Sequence, residues 1–248
     1  MKSYGKRDVG CVRVENQDNY YCRDKALGMF DNLYIVADGM GGHKGGAYAS
    51  TYVVNKTVEH AEKSNGWDIV AFFTNVLKQL NNELLAKGRE MSEYAGMGTT
   101  AVMATEKNGK LYAFNVGDSR LYLMHEGSLK QISEDHSYVQ ELVAAGLVGA
   151  EEARVHPKRN IITRAVGAPQ SLEVDHFIVD LADGDLILLC SDGLHGMVND
   201  AEIEALLKGN GSLEEKNNRL IELAKEHGGN DNIAVVLASY GKEGEGAC

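Results

Sequence analysis

Apolar residues fall into short runs whose period changes along the chain. Residues 33–37 (LYIVA) are all apolar and partly β-branched, and they stop at Asp38-Gly39, which predicts a buried strand closing in a turn. After the glycine-rich stretch 39–46, helical patterns follow over 47–60 and 67–87. In the second, Ile69, Phe73, Val76, Leu77, Leu80 and Leu84 recur at three- and four-residue steps, so one helix face is expected to lie on a sheet. From 99 to 132 the runs TTAVMAT, KLYAFNV, RLYLM and SLKQI are separated by Asn-Gly, Gly-Asp and Glu-Gly. Short turns of this kind predict consecutive strands paired with antiparallel neighbours.

A helix is expected to start at Ser137, an N-cap with Gln140 three residues on, and to end at Gly146. Residues 147–164 lack periodicity and carry one of the two prolines, so they read as a long surface excursion. Strands return over 173–179 and 186–190, then helices over 200–208 and 213–227, opened by the pairs Asn199/Glu202 and Ser212/Glu215; a strand over 233–238 follows. Strands and helices are segregated along the chain, which favours α+β. The expected architecture is two stacked antiparallel β-sheets flanked by helices, an α-β-β-α sandwich. No linker-like stretch or repeat interrupts the 248 residues, so one domain over 1–240 is expected, with a disordered tail at 241–248.

Composition narrows the function. A net charge of -11 argues against nucleic acid as the main ligand; if several acids converge on one site, metal cations would neutralise them and the formal charge would overstate what the folded protein presents. Cys11, Cys22, Cys190 and Cys248 form no CxxC pair, which fits reduced thiols. The N-terminus is charged where a signal peptide needs an apolar run, and no stretch approaches the roughly 18 apolar residues of a membrane span. A cytoplasmic protein without membrane insertion is expected.

The candidate chemistry lies in four Asp-containing turns: Asp38-Gly39, Gly117-Asp118, Ser191-Asp192-Gly193 and Asn230-Asp231-Asn232. Any one alone is an ordinary turn. Together they differ, because Asp38 and Asp192 each end a strongly apolar strand (LYIVAD, LILLCSD), where carboxylates would crowd. Crowded Asp oxygens without His or Cys companions make a hard site for magnesium or manganese and disfavour zinc. Two such ions about 3.5–4 Å apart hold a hydroxide for in-line attack on phosphorus, which gives phosphoester hydrolysis as the reaction class.

Seven blocks, VRVENQD (12–18), VADGMGGHKGG (36–46), GTT (98–100), VGDSR (116–120), DHS (135–137), GD-LILLCSDGL (184–194) and GGNDNIAVV (228–236), give the chain a specific resemblance. It resembles the metal-dependent protein phosphatases of type 2C, above all their compact bacterial members, nearly end to end. The resemblance implies a serine/threonine protein phosphatase using two Mn²⁺ or Mg²⁺ ions and a possible third. It implies that Asp38 bridges both metals with the Gly39 carbonyl as a further ligand, that Asp192 and Asp231 hold the first metal, and that Asp18 supports the second. Asp118 with Asp192 matches the third-metal site of bacterial relatives, and Arg13 the arginine that grips the substrate phosphate. Residues 147–164 resemble the family's flap. The implied partners are phosphorylated proteins and a serine/threonine kinase, with the enzyme itself a monomer.

The chain also departs from the family pattern. Gln17 stands where Glu is common, and Met40 follows the Asp-Gly turn where eukaryotic relatives carry a candidate general-acid His. His43, three residues on, is the candidate for that proton transfer, against the reading that it only orders the glycine-rich loop. Thr99 and Thr100 read as strand formers, His136 and His195 as turn or cap residues, and Asp135 and Asp185 as turn acids. Two other functions remain open at this stage: a catalytically dead phosphoprotein-binding domain and a hydrolase of small phosphoesters.

Overall fold

The computed structural model describes residues 1–66, 68–169 and 171–241, leaving the side chains of residues 42, 43, 150 and 151 undescribed. Its strands are β1 (Lys2–Asp8), β2 (Asn19–Arg23), β3 (Leu33–Ala37), β4 (Gly39–Met40), β5 (Gly98–Thr99), β6 (Ala101–Lys107), β7 (Lys110–Val116), β8 (Arg120–His125), β9 (Ser128–Gln131), β10 (Asp175–Asp180), β11 (Leu186–Cys190) and β12 (Ile233–Ser239). Helices are α1 (Gly42–Glu62), α2 (Ile69–Glu90), α3 (Tyr138–Ala144), α4 (Ala150–Val155), α5 (Asp192–His195), α6 (Asp200–Lys208) and α7 (Leu213–Glu226). The strands build two five-stranded antiparallel sheets, ordered β1-β12-β11-β8-β9 and β10-β7-β6-β3-β2, with β4 and β5 as a separate ribbon. This is the expected α+β sandwich.

Side-chain alternation explains why the central strands are apolar throughout although they pair antiparallel. In β3, Tyr34 and Val36 join the layer between the sheets, while Leu33, Ile35 and Ala37 face α1 and α2. In β11, Ile187 and Leu189 enter the middle layer, while Leu188 and Cys190 pack under α6 and α7. The predicted stripe of α2 is the buried one: Ile69, Phe73, Val76, Leu77, Leu80 and Leu84 all lie in the core. Both predicted capping boxes, Asn199/Glu202 and Ser212/Glu215, form in full.

Register decides where the acids go. Asn19 pairs with Ala37 across β2 and β3, so Asp18 and Asp38 stand side by side. In the same sheet β6 enters, and β7 leaves, at that end, since Ala101 pairs with Val116. In the other sheet Cys190 pairs with both Arg120 and Val235, bringing together the end of β11 and the starts of β8 and β12. Asp18, Asp38, Asp118, Asp192 and Asp231 therefore all flank strands at one edge of the sandwich.

The structure corrects several expectations. Residues Gly117-Asp118 do not close a hairpin: β7 and β8 lie in different sheets, and this turn is the crossover between them. Strands β1 and β2 carried no clear sequence signal, because their mostly half-buried edge positions give no apolar run. Helix α1 begins at Gly42, inside the glycine-rich stretch read as loop, and the excursion 147–164 contains α4. The one-turn α5 follows directly on β11. Trp67 and, of the tail expected at 241–248, residues 242–248 lie outside the described residues.

The crossover needs its glycine. Gly117 has φ 106°, and a Cβ there would stand 2.6 Å from Thr100 Cγ2 and 2.7 Å from Thr100 Cβ. Gly117→Ala is expected to destabilise the fold by about 2 kcal/mol or more, combining a backbone conformation restricted to glycine with a clash in the core. A urea unfolding midpoint equal to that of the unsubstituted chain would contradict this.

Candidate metal centre

Asp38 leaves β3 with its backbone fixed from the neighbouring strand segment. Its N–H donates to Thr100 Oγ1 (2.9 Å), and its carbonyl accepts from the Thr100 N–H (2.9 Å) and Thr99 Oγ1 (2.8 Å). Thr100 Oγ1 in turn lies 2.7 Å from Ser119 Oγ, beside Asp118. The carbonyl of Asp118 is held by His195 Nε2 at 3.0 Å. His195, in α5, is buried, and burial holds its pKa well below the ordinary imidazole value, so it is neutral and donates from Nε2.

Asp18 is 1% exposed, and its Oδ2 accepts from Ser191 Oγ at 2.6 Å, a bond that reaches from one sheet to the other. The loop before it is tethered by Asn232, whose Oδ1 accepts from the Gln17 N–H (2.8 Å) and whose Nδ2 donates to the carbonyls of Val9 and Glu15 (3.0 Å each). That loop carries Arg13, which donates from Nη2 to Asp231 Oδ2 at 2.7 Å. The other Asp231 oxygen accepts from the Asn232 N–H at 2.8 Å. Gly39 has no room for a side chain: a Cβ would fall 2.1 Å from the Gly46 carbonyl oxygen and 2.6 Å from that of Gln17. Backbone carbonyls thus crowd beside the acids, a close approach that only glycine permits.

The carboxylates respond to one another. The Asp38 carboxyl stands close to those of both Asp192 and Asp18. Burial first, then the charges of Asp18, Asp192 and Asp118, push its pKa well above the usual carboxylate range. Asp118 is raised likewise, by burial and then by Asp192 and Asp135. Burial lifts Asp18 to about 7 against the Ser191 hydrogen bond, with Asp192 and Asp231 adding to the rise. Asp192 rises to about 6, through burial and then Asp231, offset by its hydrogen bond with Asp38 and by Arg13.

Asp18 Oδ1, Asp118 Oδ1 and Asp192 Oδ1 are all buried without a hydrogen-bond partner. Among the described residues no three His, Cys, Asp or Glu side chains already stand as a closed ligand cage; the acids instead touch in pairs. Two carboxylates in contact need a proton or a cation between them, and the orphaned oxygens favour a cation. An all-oxygen donor set selects hard divalent ions over zinc.

Of the residues singled out in the sequence, Asp18, Asp38, Asp118, Asp192, Asp231, Gly39 and Arg13 all come to this edge. The side chain of His43 lies outside the described residues; its backbone sits in the first turn of α1. The reading of Thr99, Thr100 and His195 as inert was incomplete, since they fix the backbones of Asp38 and Asp118. Ser191 and Asn232 were missed as well. Their only signal was adjacency in the chain to Asp192 and Asp231.

The chain matches the family model "Protein phosphatase 2C" over residues 13–237. It is 37% identical over 246 residues to the serine/threonine phosphatase stp of Listeria innocua, covering 96% of this chain and 95% of that protein. The structure of a serine/threonine phosphatase of S. agalactiae superposes with a TM-score of 0.91 at 33% identity, covering 97% of this chain and 99% of the other. The catalytic domain of the phosphatase PstP, in complex with two manganese ions, superposes with a TM-score of 0.85 at 34% identity, over 97% and 98% of the two chains. The chain belongs to the protein phosphatase 2C family, and it is an enzyme.

The raised carboxylates make a prediction about the metal-free protein. Asp18 binds a proton more tightly folded, near pH 7, than at the ordinary aspartate value of 3.8, so its favourable contribution is complete below pH 3.8 and is lost as pH rises through 7. With chelator present, Asp18→Asn is therefore expected to gain thermal stability relative to the unsubstituted chain between pH 5 and pH 8. A difference in Tm that stays flat across that range would refute the assignment.

Proposed function

We propose that this serine/threonine protein phosphatase hydrolyses phosphoserine and phosphothreonine with two Mn²⁺ or Mg²⁺ ions held by the carboxylate cluster and a third beside Asp118, and that it opposes a serine/threonine kinase in the cytosol as a monomer. The observation that supports this best is that Asp18, Asp118 and Asp192 each keep a buried carboxylate oxygen without a hydrogen-bond partner, beside Asp38, whose carboxyl feels the charge of all three. Bound there, the ions would supply a hydroxide from water at neutral pH and offset charge on the phosphoryl oxygens.

Asp38 would serve both ions with the Gly39 carbonyl as a further ligand, Asp192 and Asp231 would hold the first, Asp18 would support the second, and Asp118 with Asp192 would take the third. Thr99, Thr100, Ser191 and His195 hold these acids in register without neutralising them. Arg13 uses one nitrogen for Asp231, and its side chain is 56% exposed, so the rest of the fork is available to a phosphate. Among the described residues no helix is long and apolar enough to cross a membrane.

The decisive assay is hydrolysis of a phosphothreonine peptide with manganese, with magnesium and with chelator. Activity is expected with either metal and none with chelator; turnover that survives chelation would overturn the mechanism. Asp38→Asn is expected to lower kcat by roughly a hundredfold or more, since removing a bridging ligand forfeits several kcal/mol of charge stabilisation. Arg13→Ala is expected to raise KM more than it lowers kcat, by about tenfold, as befits lost phosphate binding. An unchanged KM would remove Arg13 from the phosphate site.

A further inference from the structure

Beside the carboxylate cluster lies a cavity of about 330 Å³. Asp118 and Asp192 border it on the side of the cluster, and the segment around α4 contributes Arg154, Arg159 and Asn160. The remaining charged groups are already committed. Asp135, 11% exposed, takes Arg120 Nε at 2.9 and 3.0 Å and Nη2 at 2.7 Å, and Gln131 Nε2 at 2.9 Å. Asp200 accepts from Tyr122 Oη at 3.1 Å and lies 3.8 Å from Arg120.

The two arginines contributed by the α4 segment are different. Arg164, at the base of the same segment, is paired with Asp175 at 2.6 Å, but among the described residues neither Arg154 nor Arg159 has a carboxylate partner. Arg154 and Arg159 are both exposed, and both line the cavity that Asp118 and Asp192 border. A cationic side chain entering the cavity would find Asp135 and Asp200 committed, Asp118 and Asp192 taken by the ions of the cluster once these are bound, and two guanidinium groups without a carboxylate partner. An anionic one would meet two planar forks of donors.

We propose that this cavity is a subsite for a second anionic side chain of the substrate, a carboxylate or a phosphate, close in sequence to the phosphoserine or phosphothreonine being hydrolysed. The proposal rests on the phosphatase reading and adds a substrate class to it: acidic or doubly phosphorylated segments. Steering by these arginines also explains how a chain of net charge -11 presents a locally favourable surface to an anionic substrate.

The test uses three phosphothreonine peptides and the manganese-loaded enzyme. One peptide has neutral neighbours, one carries glutamates, and one carries a second phosphothreonine. KM for the anionic peptides is expected to be lower by roughly tenfold, the size of two charge-assisted contacts at a partly exposed site, and the advantage should shrink with added salt. In Arg154→Gln/Arg159→Gln the anionic peptides are expected to fall back to the KM of the neutral one. A larger advantage for the doubly phosphorylated peptide identifies phosphate as the better ligand, and an equal one a carboxylate-type contact. Equal KM values for all three peptides with the unsubstituted enzyme, or an advantage that persists in the double variant, would overturn the subsite. Fluorescence polarisation of the same peptides on Asp38→Asn reads the preference without turnover, so a failure of catalysis is distinguished from a failure of the subsite.

Discussion

Mutual repulsion among buried carboxylates at one edge of a β-sandwich is the constraint around which the molecule is organised. Charged groups removed from water are costly unless they are paired, and here acids are placed against acids. Asp38 meets Asp18 from its own sheet and Asp192 from the other, so the conflict spans both layers of the sandwich. Protons relieve it in the metal-free chain, which is why burial and neighbouring charge move the Asp18 and Asp192 pKa values toward neutrality. A fold that keeps such a cluster is arranged for cations.

The supporting hydrogen bonds have a common character. Thr99, Thr100 and His195 grip the main chain of the acids and leave the carboxylate oxygens free. Arg120, two residues along the chain from Asp118, donates to Asp135 and to Tyr122 Oη. Ser191 and Arg13 donate from their side chains to carboxylates of the cluster, one neutral and the other exposed. Geometry is thus fixed by neutral groups while negative charge is preserved, a division of labour suited to holding hard ions in defined places.

Much of this was legible in the sequence because it depends on local rules. The buried stripe of α2, the strands β3 and β11, and both capping boxes follow from periodicity and end chemistry within a few residues. The acids were legible too, since Asp38 and Asp192 terminate apolar strands. What escaped depends on pairing across long separations. Strands β1 and β2 are recognisable only once β12 and β3 lie beside them, and the Gly117-Asp118 turn looks like a hairpin until β7 and β8 enter different sheets. Ser191 reaching Asp18 is a contact across 173 positions that no window of residues reveals. The type 2C resemblance supplied roles for the acids, yet it left unexplained the residues that hold them.

The crossover from β7 to β8 has a mechanical meaning. It stitches the two sheets together at the very edge where their acids face one another, as does the loop from β1 to β2, and side chains such as Ser191 and Asn232 bind the sheets there as well. Spacing between the ligands is therefore set by the thickness of the apolar layer that separates the sheets, Tyr34, Val36, Leu121 and Leu189 among it. Trimming one of those side chains would let the layers slide or settle, detuning the ion site from deep inside the protein without altering a single charged group.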